Sequence, residues 1–198
     1  MSDASDACGF WDHGGCTGTP YCPPRCPRFI DAAGTPLLMR PYEGDDFDTL
    51  VTMYEGLDKE SRTRGIPPLE RSRIEEWLID ILSSGWSIIS LDGDEVIGHV
   101  AVLPKGADEP EGLIFVADDY QGRGIGGELL RQLLAYAAAR EHDAVWLDVE
   151  ASNRRAVDAF KSTGFSVEHR NISEVQLSMT MDDPVVDDAQ LPPAERDE

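Results

Sequence analysis

Between residues 113 and 127 the chain reads Leu-Ile-Phe-Val-Ala-Asp-Asp-Tyr-Gln-Gly-Arg-Gly-Ile-Gly-Gly. An apolar strand-like run ends in a polar turn and passes into a loop with glycines at 122, 124, 126 and 127. A helical period starts at once, with Leu129, Leu130, Leu133, Leu134 and Ala137 on one face. Strand, glycine loop and helix in succession make an anion cradle: backbone N–H groups can converge where there is no Cβ, and the positive end of the helix dipole favours a phosphate. A phosphorylated cofactor is the expected guest. A nucleotide P-loop is excluded, because neither the lysine nor the hydroxyl that ends Gly-x-x-x-x-Gly-Lys-Ser/Thr is present. A dinucleotide fingerprint on Gly122, Gly124 and Gly127 would belong in a first βαβ unit, with an acidic residue about 20 residues on. This loop lies in the second half of the chain.

Around it the periods alternate. Residues 37–42 predict a first strand, and Glu43-Gly-Asp-Asp supplies N-cap candidates for a helix carrying Phe47, Leu50, Val51, Tyr54 and Leu57 on one face. A second helix follows Pro67-Pro68, with Ile74, Trp77, Leu78, Ile81 and Leu82 as a core stripe. Two apolar runs, 86–91 and 96–103, flank Asp92-Gly-Asp94 and predict a hairpin. Beyond the glycine loop and its helix come a buried strand at 144–149, a helix from Asn153 that ends at Gly164, and a closing hairpin formed by 165–169 and 173–181. The order β-α-α-β-β-β-α-β-α-β-β, counted to residue 181, makes an α/β (α+β) domain from about 35 to 181. Residues 182–198 are acidic with little to bury, and a disordered tail is expected there.

Charge narrows the partners. Thirty-eight acidic residues stand against 17 basic ones, of which only Lys59, Lys105 and Lys161 are lysines. Such a surface repels nucleic acid and anionic lipid. An acidic, lysine-poor composition suits a protein kept in solution by concentrated salt, where the Debye length falls to about 3 Å at 1 M, so a halophilic source is expected. No apolar run reaches the length of a membrane span and no basic, apolar leader opens the chain, so a cytoplasmic protein, monomer or homodimer, is expected.

Two segments resemble a known family. Gln121, Gly124 and Gly126 meet the Gln/Arg-x-x-Gly-x-Gly/Ala motif of the GNAT superfamily of acyl-CoA N-acyltransferases. The run from Asn153 to Phe165, Asn-Arg-Arg-Ala-Val-Asp-Ala-Phe-Lys-Ser-Thr-Gly-Phe, is similar to that family's Asn-x-x-Ala-x-x-Phe-Tyr-x-x-x-Gly-Phe segment. The resemblance implies a GNAT fold, a mixed central sheet of six to seven strands flanked by about four helices, and acetyl-CoA as cosubstrate. It implies a cofactor site at Val116, Ala117, Gln121, Gly122, Arg123, Gly124, Ile125, Gly126, Gly127, Asn153 and Phe160, with a backbone N–H at Val116 or Ala117 as oxyanion donor. Lys161 stands where the family often has a tyrosine acid.

A primary amine must lose a proton to attack a thioester, so a carboxylate base is required. Glu111, ten residues before Gln121, matches the glutamate implicated as base in Pat-like protein lysine acetyltransferases, and Leu57-Asp-Lys-Glu-Ser-Arg resembles a segment of the same group. Glu150 is the second candidate. The plain alternatives are a solvated turn carboxylate at Glu111 and solvent-facing strand residues at Asp148 and Glu150. The resemblance therefore implies direct acetyl transfer to a primary amine, a protein lysine first. A small-molecule amine acceptor, or a non-catalytic acyl-CoA-binding sensor, is the alternative.

The first 34 residues differ from the rest. Cys8, Cys16, Cys22 and Cys26 fall in a Gly- and Pro-bearing stretch without helical or strand period. Four thiolates could close a tetrahedral zinc site and replace a missing core. Two disulfides, or idle thiols, are the competing accounts, and His13 is a bystander.

Overall fold

The computed structural model describes residues 19–22, 24–62 and 66–191. The strands are β1 (Arg28–Ile30), β2 (Pro36–Pro41), β3 (Trp86–Asp92), β4 (Glu95–Leu103), β5 (Glu111–Val116), β6 (Ala144–Glu150), β7 (Ser166–Arg170) and β8 (Glu174–Thr180). The helices are α1 (Phe47–Glu55), α2 (Arg71–Ser84), α3 (Ile125–Ala138), α4 (Arg154–Ser162) and α5 (Pro184–Gln190). All the strands join one mixed sheet in the order β1-β2-β3-β4-β5-β6-β8-β7, with every neighbouring pair antiparallel except β5 and β6.

The central strands are buried on both faces, which is why 86–103 reads as nearly continuous apolar sequence rather than an alternation. On β3, Ile88 joins the layer under α3, α4 and α5, and its neighbour Ile89 joins the layer under α1 and α2. The turn between β3 and β4 is two residues long, and Gly93 enters it at φ 59°, where a side chain would be strained. The expected helical faces are the ones buried: Leu50, Val51 and Tyr54 on α1, Ile74, Leu78 and Ile81 on α2, and all five named residues of α3.

Among the described residues the sheet has eight strands rather than six to seven, and there are five α-helices rather than about four. The extra strand is β1, three residues long and too short to carry a period, in the segment expected to lie outside the domain. It pairs with β2, and the chain just before it is anchored by Arg25, only 1% exposed. The extra helix is α5, in the stretch expected to be a disordered tail. Asp183 caps it by accepting from the Val185 N–H at 2.9 Å, Pro184 opens it, and Val186 and Ala189, one turn apart, are buried against the α3 layer. Two buried residues among many acids give too weak a stripe to register in sequence.

Val186→Asp is therefore expected to destabilise the protein by about 2 to 4 kcal/mol, the scale of losing a buried aliphatic side chain and burying a carboxylate without a partner. A melting temperature equal to wild type would return the segment to the status of a loose tail.

Candidate active site

The two parallel strands of the sheet meet only briefly. At their base Asp143 N–H donates to the Asp108 carbonyl at 2.8 Å, Trp146 N–H to the Pro110 carbonyl at 3.2 Å, and Glu111 stands opposite Trp146. Beyond that point β5 stays in register with β4 as far as Val116, and β6 stays with β8 along its whole length, so the two strands diverge. A cleft of about 670 Å³ opens between them, lined by residues 112–116 of β5, 147–150 of β6, the glycine loop and the start of α4.

Antiparallel pairing decides which backbone groups face this cleft. Ala117 N–H donates to the Ile97 carbonyl at 2.9 Å, so Ala117 and every second residue before it point their backbone groups at β4. Val116, Ile114 and Gly112 consequently point theirs at the cleft, and the Val116 carbonyl accepts there from Gln121 Nε2 at 3.2 Å. Of the two expected oxyanion donors, Val116 has its backbone groups on the cleft side. Ala117 does not, because its N–H is spent on the sheet.

The glycine loop carries φ of 80° at Gly122 and 85° at Gly124, the latter the N-cap of α3. The N–H groups of Ile125, Gly126 and Gly127 belong to the first turn of the helix and have no intrahelical acceptor. Gly126 faces open space: a Cβ built there meets nothing nearer than Val116 Cγ2 at 3.9 Å. Val116, Gln121, Gly122, Gly124, Gly126, Gly127, Asn153 and Phe160 all line the cleft. Asn153 also caps α4, accepting from Ala156 N–H at 3.1 Å. Ala117, Arg123 and Ile125 do not line it. The Ile125 side chain is core, and Arg123 folds back over the Tyr120 ring at 4.6 Å, donating to the Asp119 carbonyl at 2.6 Å. The cation at the loop is Arg155, whose Nη2 lies 2.7 Å from where a Gly122 Cβ would be. Sequence reading missed it, although its place two residues after Asn153, at the start of a helix facing the loop, was a usable signal.

A polar network joins this loop to the segment between α1 and α2. Asp118 accepts from the Asp58 N–H at 2.6 Å, from the Ser61 hydroxyl and from Gln121 Nε2 at 2.9 Å. Gln121 Nε2 also lies 3.1 Å from Ser61 Oγ. Ser61, itself a lining residue, is thereby fixed against the cofactor loop.

Three carboxylates line the cleft: Glu111 where the strands part, and Asp148 and Glu150 on β6. Both base candidates thus lie in one cavity. Lys161 is exposed and does not line it. The Tyr120 hydroxyl is committed to Asp92 Oδ2 at 2.9 Å, and that bond holds its pKa above the usual phenol range. Of the four cysteines, Cys8 and Cys16 lie outside the described residues. Cys22 Sγ accepts from Thr19 N–H at 3.1 Å and Cys26 is buried. Among the described residues no three potential ligands gather as a metal site, and no helix is long and apolar enough to cross a membrane.

Behind the cleft wall, Phe115 packs edge-on against Tyr54 at 5.3 Å, and Tyr54 against Trp77 at 5.1 Å. The Tyr54 hydroxyl is 2.6 Å from His99 Nδ1, and burial pushes the His99 pKa down to about 3. His99 stays neutral when folded and gains a proton readily when unfolded, so its contribution is whole above about pH 6.5 and is lost as pH falls toward 3. Between pH 7.5 and 5.5 this group should remove about 1 kcal/mol of stability by urea unfolding, and His99→Gln should flatten that part of the profile.

Comparison with known proteins agrees with this geometry. Residues 50–165 match the model of the acetyltransferase (GNAT) family. The GNAT domain of S. lividans PAT superposes with a TM-score of 0.67 at 23% identity, covering 77% of this chain and 95% of that one. The structure of yncA from Salmonella typhimurium with its cofactor acetyl-CoA gives 0.62 at 16% identity over 74% of this chain and 95% of that one. Two mycothiol acetyltransferases are similar over shorter stretches: that of Corynebacterium efficiens is 37% identical over 83 residues, 41% of this chain, and that of Corynebacterium aurimucosum 44% identical over 55 residues, 28% of this chain. The matched stretches span only 28% and 18% of those relatives. The parted strands, the glycine loop and the family match lead to one conclusion: the chain belongs to the acetyltransferase (GNAT) family.

Proposed function

We propose that the chain transfers acetyl from acetyl-CoA directly to a primary amine, most readily a protein lysine, with Glu111 as the base. The observation that carries this reading is the shared cleft, which has the glycine loop at its open end and Glu111 at its closed end. Glu111 lies five positions along β5 from Val116, about 17 Å at roughly 3.4 Å each, so a relaying water carries the proton between the amine and Glu111. Arg155 and the first-turn amides of α3 hold the phosphates, and the backbone groups of β5 that face the cleft lie beside the pantetheine arm. Acetyl-CoA supplies the acyl group as a thioester.

Glu111 takes a proton from the incoming ammonium through that water, and the freed amine lone pair attacks the acyl carbon. Val116 N–H meets the charge that develops on the acyl oxygen. A thiol with a pKa near that of cysteine, about 8.5, leaves as thiolate without a side-chain acid, so the lysine at position 161 does not block the reaction.

The resemblance of Glu111 and of Leu57-Asp-Lys-Glu-Ser-Arg to Pat-like protein lysine acetyltransferases supports a protein acceptor. The stretches shared with mycothiol acetyltransferases favour the second reading, a small-molecule amine. Incubation with acetyl-CoA and either lysate protein or diamines, followed by mass spectrometry, separates the two. Tight acetyl-CoA binding with no product on any amine would instead mark a sensor. The acid-rich, lysine-poor surface supports a halophilic, cytoplasmic setting.

Glu111→Gln keeps size and polarity but cannot accept the proton, so kcat should fall by about 10² or more with acetyl-CoA affinity nearly unchanged. Should Glu150→Gln lose turnover while Glu111→Gln keeps it, the two roles are exchanged. Gly126→Leu should weaken acetyl-CoA binding by about 1 to 3 kcal/mol, because its side chain fills the space the phosphates need. Its melting temperature should hold, since nothing in the protein crowds that position; wild-type affinity by calorimetry would take the loop out of the cofactor site.

A further inference from the structure

The helix that begins at the glycine loop carries a liability of its own. Glu128 sits in the first turn of α3, its side chain 6% exposed, on the side of the helix turned away from the cleft-lining Gly126, Gly127 and Leu130. A carboxylate there adds negative charge to the helix end that has to receive phosphates. Burial leaves little water to screen it. The charge is met by Arg25, 103 positions away in sequence, whose Nε and Nη2 donate to the two carboxylate oxygens at 2.8 and 2.9 Å, and whose Nη1 donates to the Ala189 carbonyl of α5. The Arg25 side chain has no exposed surface. Arg131, 3.8 Å from Glu128 and nearly half exposed, is a screened partner that cannot take its place.

The contacts continue along the same segment. Gln132 Nε2 donates to the Cys26 carbonyl at 2.8 Å, Phe29 packs at the N-cap Gly124, Ala32 N–H donates to the Arg123 carbonyl at 2.9 Å, and Asp31 Oδ2 lies 3.6 Å from Arg123 Nη1. Residues 25–32 thus back the whole cofactor loop on the side opposite the cleft.

We infer that Arg25 is a positioning residue for the cofactor: it neutralises Glu128, so that the start of α3 keeps its attraction for the phosphates of acetyl-CoA. This rests on the cofactor site proposed above. Removing the guanidinium leaves a buried, uncompensated carboxylate within a helix turn of the phosphate site, and Coulomb repulsion at roughly 8 Å in a partly screened medium corresponds to a loss of about five- to thirty-fold in affinity.

The test is calorimetric titration of the full chain with acetyl-CoA, paired with thermal melts. Arg25→Ala should bind about five- to thirty-fold more weakly, and Arg25→Ala with Glu128→Gln should return to within about threefold of wild type while its melting temperature stays low. A purely structural bridge would lower the melting temperature in both variants without this rescue, and equal affinities in Arg25→Ala and wild type would overturn the assignment. If Arg25→Ala does not fold, Glu128→Gln alone decides: it keeps an acceptor for Arg25 and leaves a positive charge behind the turn, so it should bind at least about threefold more tightly, and unchanged or weaker binding counts against the proposal. Wild-type protein that fails to bind acetyl-CoA at all would overturn the cofactor site itself, a result distinct from either of these.

Discussion

The cleft exists because β5 and β6, parallel neighbours in the sheet, pair at one point and then part. β5 has β4 on one side and β6 has β8 on the other, so each strand meets its hydrogen-bonding needs on one edge whether or not the two meet each other. Their contact at Glu111 and Trp146 holds the sheet together, and their separation beyond it leaves backbone donors and acceptors facing a cavity. In a sheet interior such groups would be costly. They are tolerated here because the cavity lets water, or the arm of the proposed cofactor, satisfy them. The binding surface is therefore made largely of main chain, and the side chains are free to supply chemistry at either end.

What could be read in advance was what is local. The 3.6-residue stripes of α1, α2 and α3, the hairpin at Gly93 and the glycine loop all follow from residues within one element or one turn. The loop glycines stand out as glycines, and Gln121, Asn153 and Phe160 through the resemblance to the family's two motifs; Gly122, Gly124, Gly126, Gly127 and these three all line the cleft. What escaped was non-local or too short. β1 has three residues and gains its place only by pairing with β2, and α5 holds two buried side chains in an acidic stretch. No periodicity connects Arg25 with Glu128 across 103 positions. Arg155 rather than Arg123 faces the cleft because Asp119 and Tyr120 hold the latter, a matter of side-chain geometry.

The charge of the chain takes on a more specific meaning beside the site. With 17 basic residues against 38 acidic ones, cations are scarce, yet Arg25 and Arg40 are committed to bidentate pairs with Glu128 and Asp46 in buried or nearly buried settings. Arginine suits such places because its planar fork matches a carboxylate and stays charged when desolvated. The few basic groups are thus spent where the fold or the cofactor end needs them, and the remaining surface is left acidic.

Asp118 ties the segment at 58–61 to the cofactor loop through a backbone amide, a hydroxyl and the Gln121 amide at once. Neither piece can be exchanged alone. A chimera that imports the α1–α2 connection of a relative, to borrow its acceptor preference, would set a foreign segment against an aspartate shaped for Asp58 and Ser61. The graft would have to carry residues from both loops, 60 positions apart in the chain, as a single unit of inheritance.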